Sequence, residues 1–184
     1  MIYEMLLGLA QRIRKSDYSP EVIVGVSRGG WPPARIMSDL LENPNLANMK
    51  VTFYKDIGVR YRRPMITQPV TSDVVGKRVL VVDDIADTGL SLRAVIKHLR
   101  KKGAEASRVC TIYVKPHSIY VPDFFAKRTS KWVIFPWERL EALRLISKKA
   151  VAKNGGISNV KGQLKNTGMS ARLIHELLTI NFDP

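Results

Sequence analysis

The chain has 184 residues, 45% of them hydrophobic and 25% charged, a balance that predicts one globular domain with an appendage. Glycine and proline, at 12 and 10, are ordinary and exclude collagen-like or low-complexity material. Apolar runs such as Val79–Val82 fall far short of the ~20 residues of a membrane span, and the formal charge of +14 points to anionic partners, whether nucleic acid, a phosphorylated small molecule or an anionic membrane face.

Ile2, Met5, Leu6, Leu9 and Ile13 recur at helical spacing and predict a helix over the first ~15 residues, with no basic leader to suggest a signal peptide. Val22–Val26 reads as a short strand running into Ser27-Arg28-Gly29-Gly30, and Trp31-Pro32-Pro33 opens a helix over Ala34–Leu41. Lys50–Tyr54 predicts a second strand. The polar, basic stretch from Lys55 to about Asp73 has no periodicity and reads as a long connection, fit for a flap. Arg78–Val82 is a third strand, Ser91–Lys102 a helix closed by Gly103, and Val109–Val114 and Trp132–Phe135 are further strands. Glu138–Lys149 is a helix with Leu140, Leu143 and Ile146 on one side; beyond a glycine-punctuated basic tail, Ala171–Ile180 is a final helix. From Arg144 to Arg172 there are seven basic residues and no acid. Apolar strands alternating with helices predict an α/β domain with a mostly parallel sheet covered on both faces. The single cysteine, Cys110, forms no internal disulfide, so a reducing cytoplasm is the expected compartment.

The segment from Val79 to Ser91 carries the most chemistry. A buried strand delivers Asp83 and Asp84 to the carboxyl end of the sheet, where ligands of open α/β sheets bind. Ala86-Asp87-Thr88-Gly89-Leu90-Ser91 then offers backbone amides and two hydroxyls at a helix start, a cradle for phosphate. The two carboxylates suit sugar hydroxyls or a divalent cation. A receiver domain places such acids near its chain start, and a nucleoside triphosphatase needs a G-x-x-x-x-G-K-[ST] loop that this chain lacks. A plain helix cap at Asp87 is the third alternative. The three histidines, His98, His117 and His175, are scattered without ligand spacing.

The Val79–Ser91 pattern resembles the phosphoribosyl pyrophosphate (PRPP) signature of type I phosphoribosyltransferases, and within them the 6-oxopurine enzymes of the xanthine–guanine and archaeal hypoxanthine–guanine type. The resemblance covers most of residues 20–140. Val26-Ser27-Arg28-Gly29-Gly30 looks like the family's pyrophosphate loop, with Ser27–Arg28 a candidate non-proline cis peptide. Val114-Lys115-Pro116 looks like the segment whose lysine meets the purine O6. Lys131–Glu138 looks like the hood whose first tryptophan stacks on the base.

The resemblance implies a type I phosphoribosyltransferase fold: a domain over residues 1–149 with a small hood at about 115–137, and a basic, helical C-terminal extension over 150–184. It implies transfer of the 5-phosphoribosyl group from PRPP to a purine base (hypoxanthine, guanine or xanthine), with Mg²⁺, in purine salvage. Asp83, Asp84 and Asp87 would be catalytic, with Asp83 and Asp84 also the metal ligands. Ala86–Ser91 would hold the 5′-phosphate, and Ser27, Arg28 and Gly29 the pyrophosphate. Lys115, Trp132, Val133 and Ile134 would hold the purine. Ile134 stands where the bacterial xanthine–guanine enzyme has an acid, which leaves adenine open, and Leu90 stands where many relatives carry Lys or Gly. The expected partners are PRPP, a purine base and further copies of the chain (a dimer or tetramer), with no membrane. A PRPP- or nucleotide-sensing regulator that binds nucleic acid is the alternative, which the hood and Lys115 disfavour.

Overall fold

Six strands form one sheet in the order β3-β2-β1-β4-β5-β6 in a computed structural model that describes residues 1–54, 63–152 and 169–179. The strands are β1 (Val22–Ser27), β2 (Leu46–Tyr54), β3 (Arg63–Gln68), β4 (Arg78–Ala86), β5 (Ala106–Val114) and β6 (Phe124–Arg128). All neighbours pair in parallel except β2 and β3, which are antiparallel. β1 and β4 adjoin at the centre, and each is buried on both faces through its apolar run, as a parallel strand covered by helices must be.

Three helices accompany this sheet: α1 (Ile2–Arg14), α2 (Trp31–Leu40) and α3 (Leu90–Lys101). Leu6, Leu9, Ala10 and Ile13 put one face of α1 inside, and Leu92, Val95 and Leu99 do the same for α3. Val81, Val82, Ile112 and Val114 are fully enclosed; burying such side chains contributes about 1.5–3 kcal/mol each before chain entropy is counted.

The chain divides into two compact units, Met1–Lys131 and Trp132–Pro184. The second contains α4 (Arg139–Ala152) and α5 (Ala171–Thr179). Its small core joins Leu143, Ile146 and Met169, with Ile134, Leu173, Ile174 and Leu177 packed against them.

Two expectations are corrected. Trp132–Phe135 is not a strand; the sixth strand is Phe124–Arg128, an edge strand that the sequence reading left unassigned and whose last two residues, Lys127 and Arg128, are exposed. The stretch after Lys55 is not all connection, because Arg63–Gln68 pairs antiparallel with β2. Its one-sided exposure and Pro64 suit an edge strand and hide it from a search for apolar runs. Lys55, Arg60 and Arg62 of the expected flap lie outside the described residues, as does most of the basic tail. Among the described residues no helix is long and apolar enough to cross a membrane.

Candidate active site

β4 is apolar and enclosed from Val79 to Val82, so the next residues able to carry charge are those emerging at its carboxyl end. Asp83 and Asp84 stand there side by side, and the Asp84 amide donates to Asp83 Oδ1 at 3.0 Å. Asp84 is buried. Removal from water, and then the neighbouring Asp84 charge, push the Asp83 carboxyl well above the usual carboxylate range. Such a pair calls for positive charge or hydroxyl donors around it.

The loop after β1 fits against this pair. A Cβ on Gly29 would lie 2.1 Å from Asp84 Oδ2, and one on Gly30 would lie 2.4 Å from the Val82 carbonyl oxygen and 2.8 Å from Asp83 Cα. Only residues without side chains let the loop approach so closely. The Ser27–Arg28 peptide is cis. The Ser27 hydroxyl donates to Asn48 Oδ1 at 2.8 Å, so it is turned toward β2, and Arg28 is exposed.

Beyond β4 the chain turns through Asp87, Thr88 and Gly89 into α3. Gly89 takes a left-handed conformation (φ 79°) at the helix start and has no side chain with which to cap the first turn, whose amides are of the kind that binds an anion. Thr88 Oγ1 accepts from the Leu90 amide at 3.4 Å. A cavity of about 360 Å³ opens here, with Asp83, Asp87, Thr88, Gly89 and Ser91 among its polar walls and Phe53 and Leu92 among its apolar ones.

Parallel pairing of β5 with β4 brings the turn after β5 alongside this loop. The Lys115 amide donates to the Ala86 carbonyl at 2.9 Å and the Ile119 amide to the Thr88 carbonyl at 3.0 Å. A Cβ on Gly89 would meet the Tyr120 amide nitrogen at 2.6 Å. Lys115 is buried, and its Nζ donates to the carbonyls of Ser130 (3.4 Å) and Lys131. His117 Nε2 stands 3.2 Å from Asp87 Oδ1. Sequence reading missed this histidine because it sought metal spacing; the usable signal was its place two residues after Lys115, on a turn bound to reach the end of β4.

The first unit thus gathers Asp83, Asp84, Asp87, the Ala86–Ser91 loop and the Ser27–Gly29 loop at one end of the sheet, with Lys115 beginning the adjoining turn. The remaining candidates belong to the second unit. Trp132 is 58% exposed, whereas Ile134 packs against the Leu143 cluster. Phe135 accepts a ring stack from Trp137 at 5.0 Å and 9°, and its amide donates to Glu138 Oε1 at 3.0 Å. Among the described residues no group of three or more His, Cys, Asp or Glu side chains gathers as a metal cage.

Residues 2–139 match the family model of the phosphoribosyl transferase domain. Xanthine phosphoribosyltransferase 1 of Saccharomyces cerevisiae is 25% identical over 179 residues, covering 74% of this chain and 86% of the yeast protein. The xanthine-guanine phosphoribosyltransferase of Idiomarina loihiensis is 31% identical over 118 residues, covering 63% and 70%. In structure, the purine phosphoribosyltransferase of Pyrococcus horikoshii superposes with a TM-score of 0.67 at 40% identity, over 74% of this chain and 87% of the other.

Proposed function

Because the chain belongs to the phosphoribosyl transferase family, we propose that the end of its sheet is where a purine base and PRPP exchange partners. The chain is a PRPP-dependent purine phosphoribosyltransferase of purine salvage, forming a nucleoside 5′-monophosphate and pyrophosphate. The observation that supports this siting best is the Asp83–Asp84 pair, with Asp84 buried and backed by Gly29, beside the cavity that Asp83 and residues 85–92 line.

On this reading the amides of Ala86–Ser91 and the hydroxyls of Thr88 and Ser91 bind the 5′-phosphate. Asp83 and Asp84 accept the ribose hydroxyls and lie near the positive charge that develops at the anomeric carbon as its bond to pyrophosphate breaks. Amides of the Ser27–Gly29 loop and the Arg28 guanidinium receive the departing pyrophosphate. The base nitrogen takes the anomeric carbon, and Asp87 receives the proton displaced from the ring. Lys115 already uses its ammonium on two carbonyls; an ammonium has three donors, and the third suits a C6 carbonyl oxygen. Trp132 stacks on the ring, with Val133 and Ile134 beside it.

Adjacent carboxyls whose joint ionisation is opposed by burial fit a hard dication with oxygen ligands. Mg²⁺ would be held by Asp83 and Asp84 and would neutralise charge on the pyrophosphate. We attach to this reading a cytoplasmic homo-oligomer, for which light scattering is the test.

The test of function is a steady-state assay with PRPP and Mg²⁺ against hypoxanthine, guanine, xanthine and adenine. A 6-oxopurine is expected to have the highest kcat/KM. An adenine preference would overturn the role of Lys115, and failure with all four bases would overturn the reading itself.

A further inference from the structure

We propose that His117 is a positioning residue for the reaction: it donates its Nε2 proton to Asp87 and fixes the carboxylate that faces the base. The inference rests on the role proposed for Asp87.

The contact is 3.2 Å between His117 Nε2 and Asp87 Oδ1. With Asp87 as the acceptor, the proton of this bond is carried on Nε2. The bond occupies one carboxylate oxygen and leaves the other for the base. Asp87 sits on a loop between β4 and the left-handed Gly89, with its side chain mostly in water. Left alone, such a carboxylate would sample several rotamers, and only some of them would meet a ring nitrogen.

His117, by contrast, is carried on a turn that several hydrogen bonds hold in place. The turn holding it closes on itself through the Ser118 amide to the Lys115 carbonyl at 3.1 Å, and through Ser118 Oγ to the Tyr120 carbonyl at 2.8 Å. It is tied to the Asp87 loop on both sides, by Lys115 to Ala86 and by Ile119 to Thr88. The imidazole is thus mounted on the same rigid piece as the loop whose carboxylate it grips. The nearby Lys115 ammonium is directed to Ser130 and Lys131 instead, so it does not replace the imidazole.

Both partners are largely exposed, and exposed pairs of this kind contribute little to fold stability. The contact therefore has its effect on placement, and a loss of activity without a loss of stability is its signature.

The test is a double-mutant cycle with PRPP, Mg²⁺ and the preferred base, using His117→Ala, Asp87→Ala and the pair, with His117→Gln as the conservative variant. His117→Ala is expected to lower kcat/KM for the base by roughly three- to tenfold, the range of one modest hydrogen bond, while KM for PRPP and the melting temperature hold. Added to Asp87→Ala, it should change kcat/KM by less than about twofold, since its partner is gone. Glutamine, which also presents a terminal N–H, should restore most of the loss. Additive effects, no effect of His117→Ala, or faster turnover on its removal would each overturn the proposal. If Asp87→Ala itself behaves as the parent enzyme does, the assignment of Asp87 has failed, and the role given to His117 fails with it.

Discussion

Gly29→Ala isolates the closeness on which the site depends. Gly29 is not among the left-handed glycines, so alanine meets no backbone penalty there. What it meets is Asp84: the new methyl would lie 2.1 Å from Oδ2, 2.6 Å from Cγ and 2.9 Å from Oδ1. A comfortable carbon–oxygen contact is about 3.3 Å, so the carboxylate or the loop must yield by about 1 Å. Asp84 is buried, so the displacement is shared with its packed surroundings and costs about 1–3 kcal/mol of stability, as overpacking does. A reacting group misplaced by about 1 Å loses on the order of a hundredfold in rate. The assay is kcat/KM with PRPP and Mg²⁺, beside a thermal melt of the same sample. A folded enzyme with a large kinetic loss is the expected outcome. Parental kinetics in the alanine variant would show that the Gly29–Asp84 approach has no part in the chemistry. Gly30→Ala is the contrasting case, because its methyl would strike the Val82 and Val26 carbonyl oxygens and Asp83 Cα, and it should fail mainly as a folding defect.

Asp84→Asn should lower turnover at least tenfold, about 1.4 kcal/mol of transition-state stabilisation, with the fold retained; unchanged kinetics would remove the pair from the site. Lys115→Ala should narrow the preference for a 6-oxopurine over adenine, and an unaltered ratio of kcat/KM values would mean that Lys115 serves only the Ser130 and Lys131 carbonyls. Gly8 lies inside α1, and a methyl group added there would meet nothing within 4 Å, so Gly8→Ala should stabilise by about 0.5–1 kcal/mol in denaturant unfolding; destabilisation would contradict that. Tyr18 donates its hydroxyl to the Val79 carbonyl at 2.6 Å, and burial above all pushes the phenol up from 10 to about 12. Its folded value is the higher one, so its contribution is complete below pH 10 and is lost as pH rises through 12. Tyr18→Phe should cost about 1 kcal/mol near neutrality and flatten the decline in stability between pH 10 and 12. The buried Cys110 thiol, also raised to about 12, titrates in both proteins alike, so an identical slope would refute the assignment.

What could be read from the sequence followed from how much local constraint each segment carried. Val79–Val82 is so uniformly apolar that only an enclosed strand accommodates it, and the acids after it then had to stand at the strand's end, as Asp83 and Asp84 do. Gly29 and Gly30 stood out only through the family resemblance of their loop, since their close approach to Asp84 and Val82 depends on β1 lying beside β4, a pairing that no local pattern encodes. The edge strands β3 and β6 escaped notice because solvent covers part of each, which removes the apolar run and admits Pro64, Lys127 and Arg128. Trp132–Phe135 misled for the opposite reason. Its apolar side chains go separate ways rather than into a sheet: Ile134 packs on the Leu143 cluster, Phe135 stacks with Trp137, and Trp132 is exposed. His117 could be found only through the topology, because its place two residues after Lys115 becomes informative once β5 is known to lie beside β4.

The four points at which the turn of residues 115–120 meets the loop of residues 86–89 bear on how this protein can be re-engineered. Two main-chain bonds, the Asp87–His117 contact and the absence of room for a side chain on Gly89 make the two segments a matched set. A graft that imports a foreign 115–120 sequence alone inherits a seam in which Tyr120 no longer seats against Gly89. Chimaeras that exchange 86–89 and 115–120 together should retain solubility and activity where single-segment exchanges lose both, and random libraries should yield working combinations mainly as paired changes across that seam.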